Sequence, residues 1–178
     1  MTVSTGDFEL TADELREVAR YATESAAPVL RVFEAAHPND PRPRAALEAA
    51  RVFVGGAPRS ALQRTAAMDA HRAAGAAADE AARLAAQAAG DAASAAYLHP
   101  IAQAAQVGHI LRAAANAARI AELEAGDAAA ADRALEAARA RATPVLVDVL
   151  RRYPPAPAGR SRASQLLSAL DAALRGRR

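Results

Sequence analysis

The sequence predicts an all-α, single-domain helical bundle of six or seven helices with an alanine-rich core. Alanine makes up about a third of the 178 residues, far above its ordinary share, and it is the strongest helix former. Apolar residues recur at helical spacing along most of the chain, and prolines and glycines interrupt them at short intervals. No stretch shows the strict alternation of a β-strand, and the length fits one domain of ordinary size.

Capping signals mark the helices of the first half of the chain. Residues 11–14, Thr-Ala-Asp-Glu, form a capping box at the start of the first helix, and Pro28 bends or splits that helix. A proline-rich turn at 37–43 leads into a second helix, which ends at the glycine pair 55–56. Ser60 begins a further helical stretch with a second, weaker capping box.

The second half continues the same pattern. Gly90 is either a helix boundary or a point of close contact between helices. Pro100 is expected to open a long helix that ends near residues 125–127, and Thr143–Pro144 kinks or restarts the helix that follows. Residues 153–160 are rich in proline, which predicts an extended connector to the C-terminal helix. That helix is amphipathic, and it packs either on its own bundle or on a second copy, as a homodimer.

Composition argues against several classes of protein. The chain has no cysteine, which rules out disulfides and thiolate metal sites. Every apolar stretch is too short for a membrane helix, so no membrane partner is expected. Residues 1–10 predict a flexible N-terminus without an export signal, which makes the cytoplasm the expected location. A net charge of +2, with three tyrosines and three phenylalanines, makes nucleic acid an unfavourable partner.

Familiar catalytic motifs do not occur in the sequence. It contains no phosphate-binding loop, no dinucleotide-binding glycine motif, no nucleophile elbow and no zinc-protease helix. Their absence favours a protein that is not an enzyme, and the sequence leaves any cofactor unknown.

Polar side chains interrupt the alanine-rich middle of the chain between residues 69 and 116. On the long helix predicted after residue 100, polar residues recur at i, i+3, i+7 and i+10 and share one face; they are His109, Arg112, Asn116 and Arg119. This face is solvated or ties packed helices together, or it lines a pocket for a small molecule or peptide. In a third interpretation, Asp91, His99 and His109 converge on a metal, although no closely spaced ligand pair supports one. No metal ligand is assigned, and the candidate binding residues are Asp69, His71, Asp91, Tyr97, His99, Gln106, His109 and Arg112.

Four stretches carry a family resemblance: HPNDPRPRAALEAA (37–50), MDAHRAA (68–74), the segment 88–127, and ATPVLVDVLRRYPPAPAGRSR (142–162). They resemble short actinobacterial helical proteins that are often labelled "exonuclease SbcC". More distantly they resemble a family of putative immunity proteins, small helical proteins that are thought to neutralise a toxin. The resemblance implies a helical fold and a protein partner, either a toxin or a second copy of the chain.

Two functions from different classes follow from these observations. The first is non-enzymatic binding through a helical surface, in the manner of an immunity protein. The second is a small-ligand-binding or metal-binding protein, or an enzyme, that uses the His/Asp/Gln cluster of the central helices. Burial discriminates between them, because a cluster saturated by its neighbours favours the first function and a cluster that converges on a cavity favours the second.

Overall fold

The structure is a computed structural model that describes residues 6–176. Residues 1–5, half of the predicted flexible N-terminus, and residues 177–178 lie outside the described residues. The described chain is all-helical, which confirms the predicted fold class, and none of its helices has the length and apolarity of a membrane span. The helices are α1 (Ala12–Ala26), α2 (Leu30–Ala36), α3 (Arg42–Val54), α4 (Ala61–Ala76), α5 (Glu80–Ser94), α6 (Val107–Ala125), α7 (Ala128–Arg141), α8 (Pro144–Arg151) and α9 (Arg162–Arg175).

The described residues contain nine α-helices, where the sequence predicts six or seven, because three interruptions end helices instead of bending them. A 3₁₀ turn at Ala27–Val29 contains Pro28 and separates α1 from α2. Extended backbone at Ala77, with ψ at 122°, separates α4 from α5. Thr143 is also extended and caps α8, since its Oγ1 accepts the Leu146 N–H at 3.2 Å.

Both capping boxes predicted from the sequence are present. The Thr11 N–H donates to the Glu14 carboxylate at 2.8 Å, and the Glu14 N–H donates to Thr11 Oγ1 at 3.2 Å, which completes the capping box. Ser60 opens α4 with a second capping box. The C-terminal end of α6 is closed by Gly126 at a φ of 64°, a left-handed conformation that glycine adopts without steric cost.

The sequence predicts that this long helix begins at Pro100. In the structure, α6 begins seven residues later, at Val107. Asp7 holds the intervening loop in place. Its N–H donates to the Pro100 carbonyl at 2.8 Å, and its carboxylate accepts the Ala102 N–H at 2.7 Å. These bonds satisfy the loop backbone without a helix, and the first helical turn follows only after a 3₁₀ turn at 104–106.

The α5 helix lies at the centre of the bundle and contacts α1, α2, α3, α4 and α6. Small side chains allow these neighbours to approach closely, and α6 packs in turn on α7 and α9. The apolar residues that α5 buries are alanines with one leucine: Ala82, Leu84, Ala85, Ala86, Ala88, Ala89, Ala92 and Ala93.

The proline-rich segment 153–160 contains no helix and connects α8 to α9. Buried Tyr153 donates its hydroxyl to the His99 carbonyl at 2.9 Å. The buried Asp171 carboxylate accepts the Ala156 N–H at 2.9 Å and the Arg175 Nε–H at 2.7 Å. The connector is therefore anchored, and α9 packs on α6, α7 and α8 of its own chain.

Candidate functional site

Four polar side chains on one face of α6 meet four on the facing side of α5. The α6 residues follow the i, i+3, i+7, i+10 spacing predicted from the sequence, and the two helices run antiparallel. Each polar side chain on α6 therefore lies opposite a polar side chain on α5. We call these pairs the α5–α6 polar ladder; they are His109 with Ser94, Arg112 with Asp91, Asn116 with Gln87, and Arg119 with Glu80.

The Asp91–Arg112 ion pair lies within this ladder. Asp91 has no solvent exposure, and both of its carboxylate oxygens are occupied. Arg112 donates from Nε to Oδ2 at 2.8 Å and from Nη2 to Oδ1 at 2.5 Å. The hydrogen bond to Asp91 raises the pKa of Arg112, so the guanidinium is charged at neutral pH.

Two histidines flank the ion pair. His71 on α4 places Nε2 at 3.7 Å from Asp91 Oδ1, and His109 Nδ1 lies 3.2 Å from Ser94 Oγ. Burial lowers the pKa of both imidazoles, and the Asp91 carboxylate only partly opposes this effect. Both rings are therefore neutral at pH 7.

Gly90 provides the space for His71. A Cβ built at Gly90 would lie 2.9 Å from Cε1 and Nε2 of the His71 ring, closer than carbon atoms pack. Of the two alternatives left open by the sequence, close helix contact is therefore the one observed, and Gly90 lies inside α5.

The remaining four candidate residues do not join this cluster. Asp69 pairs with Arg72 at 2.9 Å on the exposed face of α4. The His99 side chain is exposed, and its backbone N–H donates to Oε1 of the buried Gln106 at 3.3 Å, which anchors the loop before α6. Tyr97 donates its hydroxyl to the Ser60 carbonyl at 2.8 Å, which connects the 3₁₀ turn after α5 to the start of α4.

The ladder offers little for metal binding or general acid–base catalysis. Both oxygens of Asp91 accept hydrogen bonds from Arg112, and the carboxylate has no solvent exposure, so its nearest cation is the guanidinium that already pairs with it. Within residues 6–176 no group of three or more His, Asp or Glu side chains has the geometry to hold a metal ion. Of the interpretations left open by the sequence, the geometry of Asp91 and Arg112 matches polar groups that tie packed helices together.

A groove of about 250 Å³ lies beside the ladder, between α5, α6 and the start of α9. Arg83, Gln87, Arg112 and Ser164 contribute to its lining, together with Asn116. Asn116 Oδ1 is buried and has no hydrogen-bond partner among the described residues, although Asn116 Nδ2 donates to Gln87 Oε1 at 2.9 Å. This groove is the feature that a small-ligand site would use.

Residues 9–144 match the family model described as "Imm-5 like putative immunity protein". The chain belongs to this family. The immunity part of the resemblance seen in the sequence is thereby confirmed. Comparison with curated proteins and with solved structures gave no match.

The match to the Imm-5 like family covers α1 to α7 and therefore the whole polar ladder. It also covers two arginines that the motif search did not single out. Arg59 and Arg64 place their guanidinium carbons 5.3 and 4.5 Å from the centre of the Tyr97 ring. The sequence does contain a pattern that indicates these arginines, because residues 49–68 include three arginines and no acidic residue.

Proposed function

We propose that this member of the Imm-5 like family is a non-enzymatic binding protein that neutralises a toxin by docking on it through a helical surface. The observation that carries the proposal is that the buried Asp91 carboxylate accepts hydrogen bonds from Arg112 on both of its oxygens. The polar groups most able to perform chemistry instead hold α5 against α6. The likeness to proteins labelled exonuclease SbcC contributes no activity, because the sequence has no phosphate-binding loop.

A reconstitution experiment tests this proposal. The purified chain captures binding proteins from a lysate of the producing host, and mass spectrometry identifies them. Each candidate is then expressed alone, its toxicity to a test cell is measured, and the chain is added by co-expression. We expect a stable complex by calorimetry and restored growth. A complex without restored growth, or no complex at all, would contradict neutralisation.

The small-ligand alternative has its own measurement. A ligand that binds only the folded chain raises its melting temperature, so a thermal-shift screen with divalent metals and nucleotides probes the groove beside Asn116. We expect no shift with any of them. The homodimer and the cytoplasmic location stay predictions, which light scattering and cell fractionation check.

A further inference from the structure

The turn between α3 and α4 and its flanks carry positive charge only. Residues 49–68, between Glu48 and Asp69, carry Arg51, Arg59 and Arg64 and no acidic side chain, although the chain as a whole has a net charge of only +2. Neither Arg59 nor Arg64 forms an ion pair with a carboxylate of the described residues. Arginines on other helices do form such pairs, among them Arg31, Arg44, Arg119 and Arg162. The local positive charge is therefore uncompensated.

Tyr97 gathers two of these charges at one place. The guanidiniums of Arg59 and Arg64 both lie over its ring, at 5.3 and 4.5 Å from the centroid. The ring is held by the hydroxyl hydrogen bond to the Ser60 carbonyl, and Arg59 Nη1 reaches the Ala96 carbonyl at 3.5 Å. Two like charges over one aromatic ring repel each other, and an anionic partner that pairs with both relieves that repulsion.

Exposed apolar side chains lie on the same hairpin as the two arginines. Five large apolar residues are exposed in the described chain, and three of them belong to the α3–α4 hairpin: Val52, Leu62 and Met68, at 49%, 51% and 49%. A groove of about 360 Å³ lies next to Arg59 and is lined by Leu10, Leu15, Phe53 and Pro58. Protein–protein interfaces are enriched in arginine, tyrosine and methionine relative to the rest of the protein surface. The composition of this hairpin is therefore typical of an interface.

We propose that Arg59, Arg64 and Tyr97 form the docking surface for an acidic segment of a protein partner. Carboxylates of the partner pair with the two guanidiniums, and an apolar side chain beside them enters the groove next to Arg59. The proposal rests on the proposed function and adds the chemistry of the partner to it. Nucleic acid fits less well, because base stacking needs an open ring and the two guanidiniums lie over Tyr97.

A synthetic peptide tests the surface directly. The probe is a fluorescein-labelled peptide of alternating glutamate and leucine, with a glutamine–leucine peptide and a single-stranded oligonucleotide as comparisons. Its binding to the full chain is followed by fluorescence anisotropy at low and physiological ionic strength. We expect binding of the glutamate peptide, weakened by salt, and at least about tenfold weaker binding by the double variant R59E/R64E.

Matched variants separate the surface from general charge and from folding. Arg133 on α7 and Arg160 before α9 are exposed, and neither forms an ion pair with a described residue. R133E/R160E therefore changes the net charge by the same amount as R59E/R64E but at other places, and it should bind like the wild type. R59Q/R64Q repeats the test without introducing negative charge, and circular dichroism verifies that each variant is folded. Equal binding by R59E/R64E and R133E/R160E, or binding of the oligonucleotide in place of the acidic peptide, would overturn the proposal.

The captured toxin then distinguishes this inference from the proposed function. If the toxin binds and is neutralised by the wild type but not by R59E/R64E, both stand. If R59E/R64E neutralises it as well as the wild type, the docking surface is wrong and the function stands. If no toxin is found, the function fails, and the peptide measurement still decides whether the surface binds acidic segments.

Discussion

Removing one partner of the Asp91–Arg112 pair should destabilise the fold strongly, and the two partners should not be equivalent. Arg112→Met leaves a carboxylate with 0% exposure and no counter-charge, and breaking a buried pair in this way costs about 3–5 kcal/mol. Asp91→Asn keeps an amide oxygen in the same place. It leaves a guanidinium whose side chain is 33% exposed, so water replaces part of the lost interaction and we expect a cost of about 2 kcal/mol.

The control is a pair of the same residue types on the surface. The side chains of Arg72 and Asp69 are 64% and 39% exposed, and an exposed pair of this kind contributes about 0–1 kcal/mol. Arg72→Met should therefore have almost no effect. In a chain of this length, a loss of about 4 kcal/mol lowers Tm by roughly 8–16 °C, which is easily measured.

Urea denaturation followed by circular dichroism measures these differences. The double variant D91N/R112M removes the stranded charge, so its loss should be smaller than the sum of the single losses by about 2 kcal/mol. If R112M costs no more than R72M, Asp91 is not the desolvated partner that the structure describes. The ladder would then be free to act in catalysis or binding.

Three further predictions concern smaller features. Because burial lowers the pKa of His71 and His109, the unfolded chain takes up protons first as the pH falls. The free energy of unfolding should therefore decrease below about pH 6.5, and the urea titrations of H71Q/H109Q should lose this slope; an unchanged slope would argue against buried imidazoles. Gly90→Ala should push the His71 ring into solvent and return its pKa in an NMR titration toward the ordinary value, whereas Gly75→Ala, with nothing within 4 Å of the added Cβ, should leave that pKa unchanged and stabilise α4 by about 0.5–1 kcal/mol. A G90A titration identical to that of the wild type would refute the contact. Tyr153→Phe removes a buried hydroxyl that donates to a loop carbonyl, and it should lower the free energy of unfolding by about 1 kcal/mol; a Tm equal to that of the wild type would show that the bond contributes nothing.

Local signals were enough to predict the fold class and most helix ends. The capping boxes that open α1 and α4 depend on residues three apart, so the sequence contains all the information that they need. The start of α6 depends on Asp7, almost a hundred residues away, which supplies hydrogen bonds to the loop at Pro100 and Ala102. A local pattern carries no information about such a partner.

The candidate site also combines features that the local sequence predicts with features that depend on distant residues. The spacing of His109, Arg112 and Asn116 placed them correctly on one face of α6, but it could not say which helix lies opposite. Alanine at most neighbouring positions of α5 gives no sign of which register of the two helices buries Asp91 against Arg112. The sequence offers Tyr97 as a candidate binding residue of the polar stretch, whereas its ring contacts two distant arginines, Arg59 in the turn before α4 and Arg64 on α4.

The alanine lining of α5 also bears on how this molecule can move. Packed helices change their relative position when the side chains between them repack into a second arrangement. Alanine has no rotamers, so the contacts of α5 with its neighbours have no alternative side-chain packing to adopt. A partner would therefore meet a rigid backbone scaffold, on which only long surface side chains such as arginine adjust. We expect the free and bound forms to differ little in backbone conformation.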